Sequence, residues 1–422
     1  MVRGGPQRAA RGRPSRTLVS LFTGAGGFDL GLERAGFHVA LCVEMDAAAR
    51  ETLRANRPRW PLAKPGDIHL LRPEAALERA RLARGELTLL AGGPPCQPFS
   101  KSGYWARGDA SRLADPRAAT LLAYLRWVEA LLPEVILLEN VLGLAFRAKD
   151  EGLRLLNAGL EQINRRQRVG YKPHVIHINA ASYGVPQRRE RVILVAHREG
   201  LLFERPRATH LPTDDTGKAV GVEPYRTAWD AIGDLDVEAW PAELRPTGKW
   251  GELLSSIPEG MNYLWHTPRG GGLPLFGWRT RYWSFLLKLA KDRPSWTIQA
   301  EPGPATGPFH WRSRRLSIRE LCRLQTFPDN YEICGSYRDA HRQVGNAVPP
   351  AVGELLGLEV RRQLLGDQVY RKQRFVPARS LPCPPPEPVK AVPRVYYSLV
   401  GAHRDHPGPG QGPRARGESM AA

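Results

Sequence analysis

Residues 18–37 read LVSLFTGAGGFDLGLERAGF. An apolar run closes on Phe22, a glycine-rich turn follows, and apolar side chains then recur at helical spacing. A strand that turns on glycines into a helix is the opening unit of an α/β sheet. Glycine lets the backbone approach a ligand, and a helix N-terminus favours the ligand's polar groups. Phe22, Gly24, Gly26 and Gly27 are therefore candidate binding positions, although the same turn could serve only to close a strand onto a helix. The dinucleotide fingerprint GxGxxG is not met, because Asp29 stands where the third glycine belongs.

Further β-like runs follow: VALCV (39–43), LTLLA (87–91), VILLE (135–139) and RVILVA (191–196). Helical patterns at Ala47 to Asn56 and Thr120 to Leu132 lie between them. The alternation implies an α/β fold with a parallel sheet covered on both faces. Glu44 closes the second run, at the spacing where an acid takes ribose hydroxyls. Asp67, in GDIH, is placed to take an adenine amino group, with Met45 and Ile68 beside the two acids. An acid-lined pocket without an evident phosphate grip suits adenosine carrying a cationic group, as in S-adenosylmethionine.

The chain has 422 residues and a formal net charge of +19. That length allows two or three domains. The charge argues for a polyanionic partner, nucleic acid first and anionic membrane second, although an arginine-favouring genome accounts for part of it. No apolar run is long enough to span a bilayer and no secretory signal is evident, so a cytoplasmic protein is expected. The five cysteines, Cys42, Cys96, Cys322, Cys334 and Cys383, are odd in number and form no CxxC, which suits a reducing compartment and predicts no metal site.

Residues 1–16 carry five arginines and no acid and read as a disordered basic arm. A catalytic and cofactor-binding domain is expected over 17–199. A second, smaller, loop-rich domain follows over 200–305; seven of the eleven tryptophans fall between Trp240 and Trp311. Residues 306–365 return to complete the first domain, with a capping box at Ser317 and Glu320. Residues 366–422 read as a Pro/Gly-rich tail, disordered or loosely attached.

The stretch LAGGPPCQPFSKSG (90–103) sets Cys96 just past a predicted buried strand, where α/β sheets place ligands. Prolines 94, 95 and 98 stiffen that loop, which suits an exposed nucleophile better than a packed thiol. The next strand ends in Glu139-Asn140-Val141, so a thiol and a carboxylate are expected to converge as nucleophile and acid.

In these blocks the chain resembles the DNA (cytosine-5)-methyltransferases of bacterial restriction–modification systems. FTGAGG is similar to the family's cofactor loop, GGPPCQPFS to its catalytic loop, ENV to its acid motif and GVPQRRERVILVA (184–196) to its QRRxR block. RRLSIRELCRLQTFPDNY (314–331) and RQVGNAVPP (342–350) resemble the two closing blocks. The resemblance covers most of 17–365 in family order. It implies a Rossmann-like S-adenosylmethionine-dependent methyltransferase sheet with 200–305 as target-recognition domain.

By this resemblance, Cys96 attacks carbon 6 of a flipped-out cytosine, Glu139 engages N3, Arg191 holds the base and the Glu139 carboxylate, and Arg189 lies beside it. Pro95 and Asn346 join the cofactor residues. Lys101 to Asp115 is expected to close behind the flipped base. Arg269, Arg279, Arg281, Arg312, Arg314 and Arg315 are candidates for DNA contact, since arginine suits guanine through paired donors. The implied partner is double-stranded DNA at the bacterial nucleoid, with a cognate restriction endonuclease, and the implied state is a monomer. Rival readings are methylation of cytosine in tRNA, and a non-catalytic DNA-binding protein on the same fold.

Overall fold

The computed structural model describes residues 16–94, 119–140, 151–213, 221–237, 239–279, 282–369, 373–380 and 382–405. Its centre is one sheet of β1 (Thr17–Leu21), β2 (His38–Val43), β3 (Leu89–Gly92), β4 (Val135–Asn140), β5 (His174–Asn179) and β7 (Glu190–His197), in the order β2-β1-β3-β4-β7-β5. The two-residue β6 (Gln187–Arg188) precedes β7 and pairs with Ser295–Trp296.

Strands β2, β1, β3 and β4 are mutually parallel, as the alternating pattern predicts. β7 departs from that expectation and runs antiparallel to both β4 and β5. The link from Asn179 to Glu190 is too short for the crossover that a parallel return requires. β5 has no counterpart among the predicted strands. It is an edge strand, HVIHIN, with two histidines and only partial burial, so its apolar signal is weak.

Successive residues of β1 point to opposite faces of the sheet. Leu18 enters one core with Phe28, Leu30 and Leu32 of α1 (Gly27–Arg34) and with Val352 and Leu356. Val19 and Leu21 enter the other, with Leu77 of α3 (Pro73–Ala80), Trp127 and Leu131 of α4 (Ala119–Leu131) and Leu160 of α5 (Glu151–Gln167). The amphipathic helix α2 (Ala47–Asn56) follows β2, N-capped by the Asp46 side chain.

The chain leaves this sheet after β7, passes through the short α6 (Ala228–Ile232), and returns as α7 (Ile318–Leu324), α8 (Tyr337–Asn346) and α9 (Pro350–Gln363). Both halves of the Ser317–Glu320 capping box start α7. α9 lies directly on α1. A Cβ at Gly31 would stand 2.2 Å from the Pro350 carbonyl oxygen, and one at Gly353 2.4 Å from that of Phe28. Glycine at both positions is what permits the two backbones to touch.

A third core gathers Leu253, Leu254, Ile257, Tyr263, Leu275, Leu286 and Phe309. It also includes Tyr396, from the segment read as a loose tail. Residues 382–405 instead run across this region as a strap: Tyr396 stacks on Trp250 and donates through its hydroxyl to the Lys249 carbonyl at 2.8 Å. Arg16, at the edge of the predicted arm, is held by Asp367 at 2.9 Å. Among the described residues no helix is long and apolar enough to cross a membrane, and no cluster of His, Cys, Asp or Glu is arranged to hold a metal.

Candidate active site

The parallel neighbours β1, β3 and β4 end at the same edge of the sheet, where each hands the chain to a loop. β3 ends at Gly92, beside Leu138 of β4, so Glu139 and Asn140 extend one and two residues further. Gly93 then passes the carboxylate closely: a Cβ there would lie 3.2 Å from Glu139 Oε2. Asn140 donates through Nδ2 to the Pro94 carbonyl at 3.2 Å. The β4 end thus holds the root of the loop that carries Cys96. Cys96, Pro95 and the Lys101–Asp115 segment lie outside the described residues.

Glu139 pairs across the ladder with Ile193 of β7. Arg191, two residues earlier, is on the same face of β7 and diagonal to Glu139. Its Nε meets Glu139 Oε1 at 2.6 Å, with side chains 14% and 10% exposed. A second donor, Nη1, goes to the Glu190 carbonyl at 2.7 Å.

The QRRER run alternates in burial over residues 187–190. Gln187 and Arg189 are buried, and Arg188 and Glu190 are exposed. Arg189, however, is not the carboxylate's neighbour. It turns into the core and donates through Nη2 to the carbonyls of Gly345 (2.8 Å) and Ala347 (2.9 Å), and through Nη1 to that of Ile298 (3.4 Å). It therefore fastens the closing motif to the sheet, while the ion pair with Glu139 belongs to Arg191.

At the adjoining strand ends, Phe22 and Gly24 take positive φ values of 56° and 57°. A Cβ on Gly24 would meet almost nothing, its nearest neighbour being the Phe22 carbonyl oxygen at 4.0 Å, so this face of the turn is open. Gly26 and Gly27 face the other way. A Cβ on Gly26 would press on Leu53 and the Tyr331 hydroxyl, and one on Gly27 would lie 2.5 Å from the Val348 carbonyl. Their glycines serve close packing against α2 and the closing motif.

Glu44 is buried and grips the turn: Oε2 accepts from Gly24 N and Oε1 from Asp46 N, both at 2.7 Å. Burial raises its carboxyl above the usual range, and the backbone donors oppose that rise. Gly66 presses against the Glu44 carbonyl, which brings the GDIH stretch alongside. Asp67 is half-buried and accepts from His69 N at 2.8 Å. Met45 is exposed, Ile68 is buried, and Asn346 is exposed at the end of α8. Gly24 and Glu44 are thus joined at the ends of β1 and β2, with the backbone just before Asp67 packed against Glu44. An open glycine turn flanked by two acids matches a nucleoside bearing a cationic centre and offers little to a phosphate.

Sequence reasoning passed over Asp29 as a site residue. It sits in the first turn of α1, 1% exposed, and neither carboxylate oxygen has a hydrogen-bond partner of good geometry among the described residues. Burial pushes its carboxyl up to about 7, with the Ser20 hydroxyl opposing. The signal available was its place as the odd residue in the glycine pattern.

The four described cysteines are free thiols, and burial raises all of them: Cys42 well above the usual value, Cys322 to about 12, and Cys334 and Cys383 to lesser degrees. None of the four is prepared to act as a thiolate at neutral pH.

The arginines expected to meet DNA separate into two groups. Arg314 is 2% exposed and bidentate on the equally buried Glu320, at 2.6 and 2.7 Å, so it is a packing residue and not a groove reader. Arg312 is held by both oxygens of Asp236 and is likewise committed to a fold contact. Arg269, Arg279 and Arg315 retain exposure. Arg269 lies over Trp278 at 4.3 Å, and Arg315 bonds Thr247 and lies 5.9 Å from the Tyr337 ring. Arg281 is outside the described residues.

The C-5 cytosine-specific DNA methylase family model matches residues 16–362. The type II methyltransferase M.SacI of Streptomyces achromogenes is 38% identical over 371 residues, covering 82% of this chain and 93% of the relative. M1.HphI of Haemophilus parahaemolyticus is 31% identical, covering 81% and 86%. Among solved structures, a mutant of Spodoptera frugiperda DNMT2 superimposes with a TM-score of 0.56 at 17% identity, over 82% of this chain and 99% of that one. Entamoeba histolytica EhMeth does so at 0.54 and 14%, over 83% and 99%. These two share the fold. The sequence match spans both strand-end sites and the return segment that completes them, and the chain belongs to the C-5 cytosine-specific DNA methylase family.

Proposed function

We propose that this methyltransferase transfers a methyl group from S-adenosylmethionine to carbon 5 of a flipped-out cytosine in a specific duplex sequence. The reaction runs through a covalent bond between Cys96 and carbon 6. The observation that carries the reading is the Glu139–Arg191 pair, packed beside Gly93 and Pro94 at the root of the cysteine loop.

Carbon 5 of cytosine is a weak nucleophile. Attack of the Cys96 thiolate on carbon 6 breaks the 5,6 double bond and moves its electron pair toward carbon 5. A proton shared between one Glu139 oxygen and N3 offsets the charge that develops on the ring, the other oxygen accepts from the exocyclic amine, and Arg191 fixes the carboxyl group's orientation. The donor, when bound, supplies an electrophilic methyl group. Once carbon 5 has taken up that methyl group, loss of its proton to a water acting as base restores the double bond and expels the thiolate. Gly24, Glu44 and Asp67 are the residues that would hold the donor's nucleoside, with Phe22, Met45, Ile68, Pro95 and Asn346 around it. Stacked neighbours cover the cytosine face in a duplex, so the base must leave the helix. Residues 101–115 close behind it.

Arg269, Arg279, Arg281 and Arg315 are the residues proposed to face DNA, with 200–305 as the target-recognition region. The protein acts as a monomer at the nucleoid and protects DNA from a cognate endonuclease. The test is bisulfite sequencing of plasmid DNA incubated with protein and donor. Resistant cytosines confined to one short motif are expected. Uniform conversion, or methylation of the exocyclic amine instead, would overturn the reading.

A further inference from the structure

The family match ends at residue 362, yet the chain continues as an ordered strap over the second region. We propose that this strap is a working part of the DNA-reading surface, with Asp405 as a positioning residue that sets Arg269 against Trp278 for contact with a base edge. The inference rests on the proposed reading of 200–305 as target-recognition region.

The strap is fastened along its length. Glu387 meets Lys291 at 2.8 Å, Lys390 N donates to the Ser255 carbonyl at 2.9 Å, and Tyr396 enters the third core. Near its end, the chain passes so close to the 269–279 loop that a Cβ on Gly277 would lie 2.1 Å from the Arg404 carbonyl oxygen. Gly401 N reaches the Pro274 carbonyl at 3.3 Å. Asp405 then makes two contacts with that loop. Its Oδ1 accepts from Trp278 N at 2.5 Å, and its Oδ2 lies 3.5 Å from Arg269 Nη2. The guanidinium lies over the Trp278 ring at 4.3 Å.

One carboxylate thus ties together the backbone of the tryptophan and the head of the arginine stacked on it. Both partners of the Arg269–Asp405 pair are about half exposed, at 56% and 42%. A pair so exposed adds little to folding stability. Its effect is orientation. A stacked, tethered guanidinium loses fewer rotamers on meeting DNA, and its remaining donors keep the planar fork that matches guanine.

The experiment compares wild type, Arg269→Ala, Asp405→Ala and Asp405→Asn on plasmid DNA from a host lacking cytosine methylation. Conversion sequencing reads the preference for each base at each motif position. Melting temperature and donor affinity are measured alongside, and both are expected to stay near wild type. Arg269→Ala should lower discrimination at one base-pair position by about tenfold or more. Asp405→Ala should relax the same position by at least about threefold, and Asp405→Asn, which still accepts from Trp278 N, should fall between. Wild-type preference at every position in Asp405→Ala, beside a relaxed Arg269→Ala, would overturn the role of the strap and leave the methyltransferase reading standing. An unchanged Arg269→Ala overturns the inference as well. Wild-type protein that modifies no cytosine would remove both.

Discussion

Arg191→Ala isolates the contact on which the proposed active site depends. The guanidinium touches the Glu139 carboxylate at 2.6 Å, with both side chains largely shielded from water. Charge centres about 4 Å apart at an effective dielectric of about 20 attract by about 4 kcal/mol. Desolvation and residual exposure reduce the recoverable part to about 2–3 kcal/mol. The carboxylate must hold its orientation most firmly when charge develops on the base, so this loss appears in the transition state. It corresponds to a fall in kcat/KM of about 30- to 150-fold. Arg191→Lys keeps the charge but not the planar fork and should fall between. The assay is transfer of labelled methyl groups to duplex DNA under single-turnover conditions, with donor affinity measured separately. The donor site proposed at Gly24, Glu44 and Asp67 lies at other strand ends, so its affinity should change less than threefold. An Arg191→Ala variant with more than a third of the wild-type rate would refute the reasoning.

Other substitutions probe the scaffold. Gly31→Ala would put a Cβ 2.2 Å from one backbone atom of α9 and 2.3 Å from another, which no rotamer relieves; a loss of about 3 kcal/mol or more in urea unfolding is expected, and a neutral effect would contradict the α1–α9 contact. Arg314→Ala strands the buried Glu320 carboxylate and should cost about 3–5 kcal/mol of stability, while the surviving enzyme keeps its motif; a changed motif would return Arg314 to the DNA surface. Asp29 has its carboxyl raised from 3.8 to about 7 on folding, so the native state holds a proton that the unfolded state releases, and stability falls as pH rises from about 4 to about 7. Asp29→Asn lacks this slope and should gain up to about 4 kcal/mol on wild type across that window. Parallel stability curves for the two would contradict the buried, unpartnered carboxyl.

Local features were the ones legible in the sequence. The strand–glycine–helix opening, the four parallel strands and the Ser317–Glu320 cap each depend on neighbours within a few residues, so their spacing carried them. The approach of Glu139 to the start of the cysteine loop was also readable, because strand ends in a parallel sheet converge. The features that escaped depend on distant partners. The run Arg314-Arg315 does not say which side chain turns inward; Glu320, already engaged in capping α7, decides it by taking Arg314. Arg189 looked like a companion of Arg191 until the carbonyls of Gly345 and Ala347, more than 150 positions away, came to lie beneath it. The Pro/Gly-rich composition of 366–422 suggested a loose tail, yet Tyr396 within it supplies a ring to the third core. Proline removes helix and strand options but leaves extended packing open. β5 was hidden because an edge strand need not be apolar on both faces.

The claim beneath the mechanism is a transient sulfur–carbon bond at Cys96. Its most direct measurement is the intact mass of the denatured protein after incubation with S-adenosylmethionine and a duplex carrying 5-fluorocytosine at the methylated position. Fluorine blocks loss of the carbon 5 substituent, so the wild-type protein should carry the oligonucleotide mass and Cys96→Ala should not. A Cys96→Ala protein that still forms the adduct, or still methylates cytosine at a wild-type rate, would contradict the account.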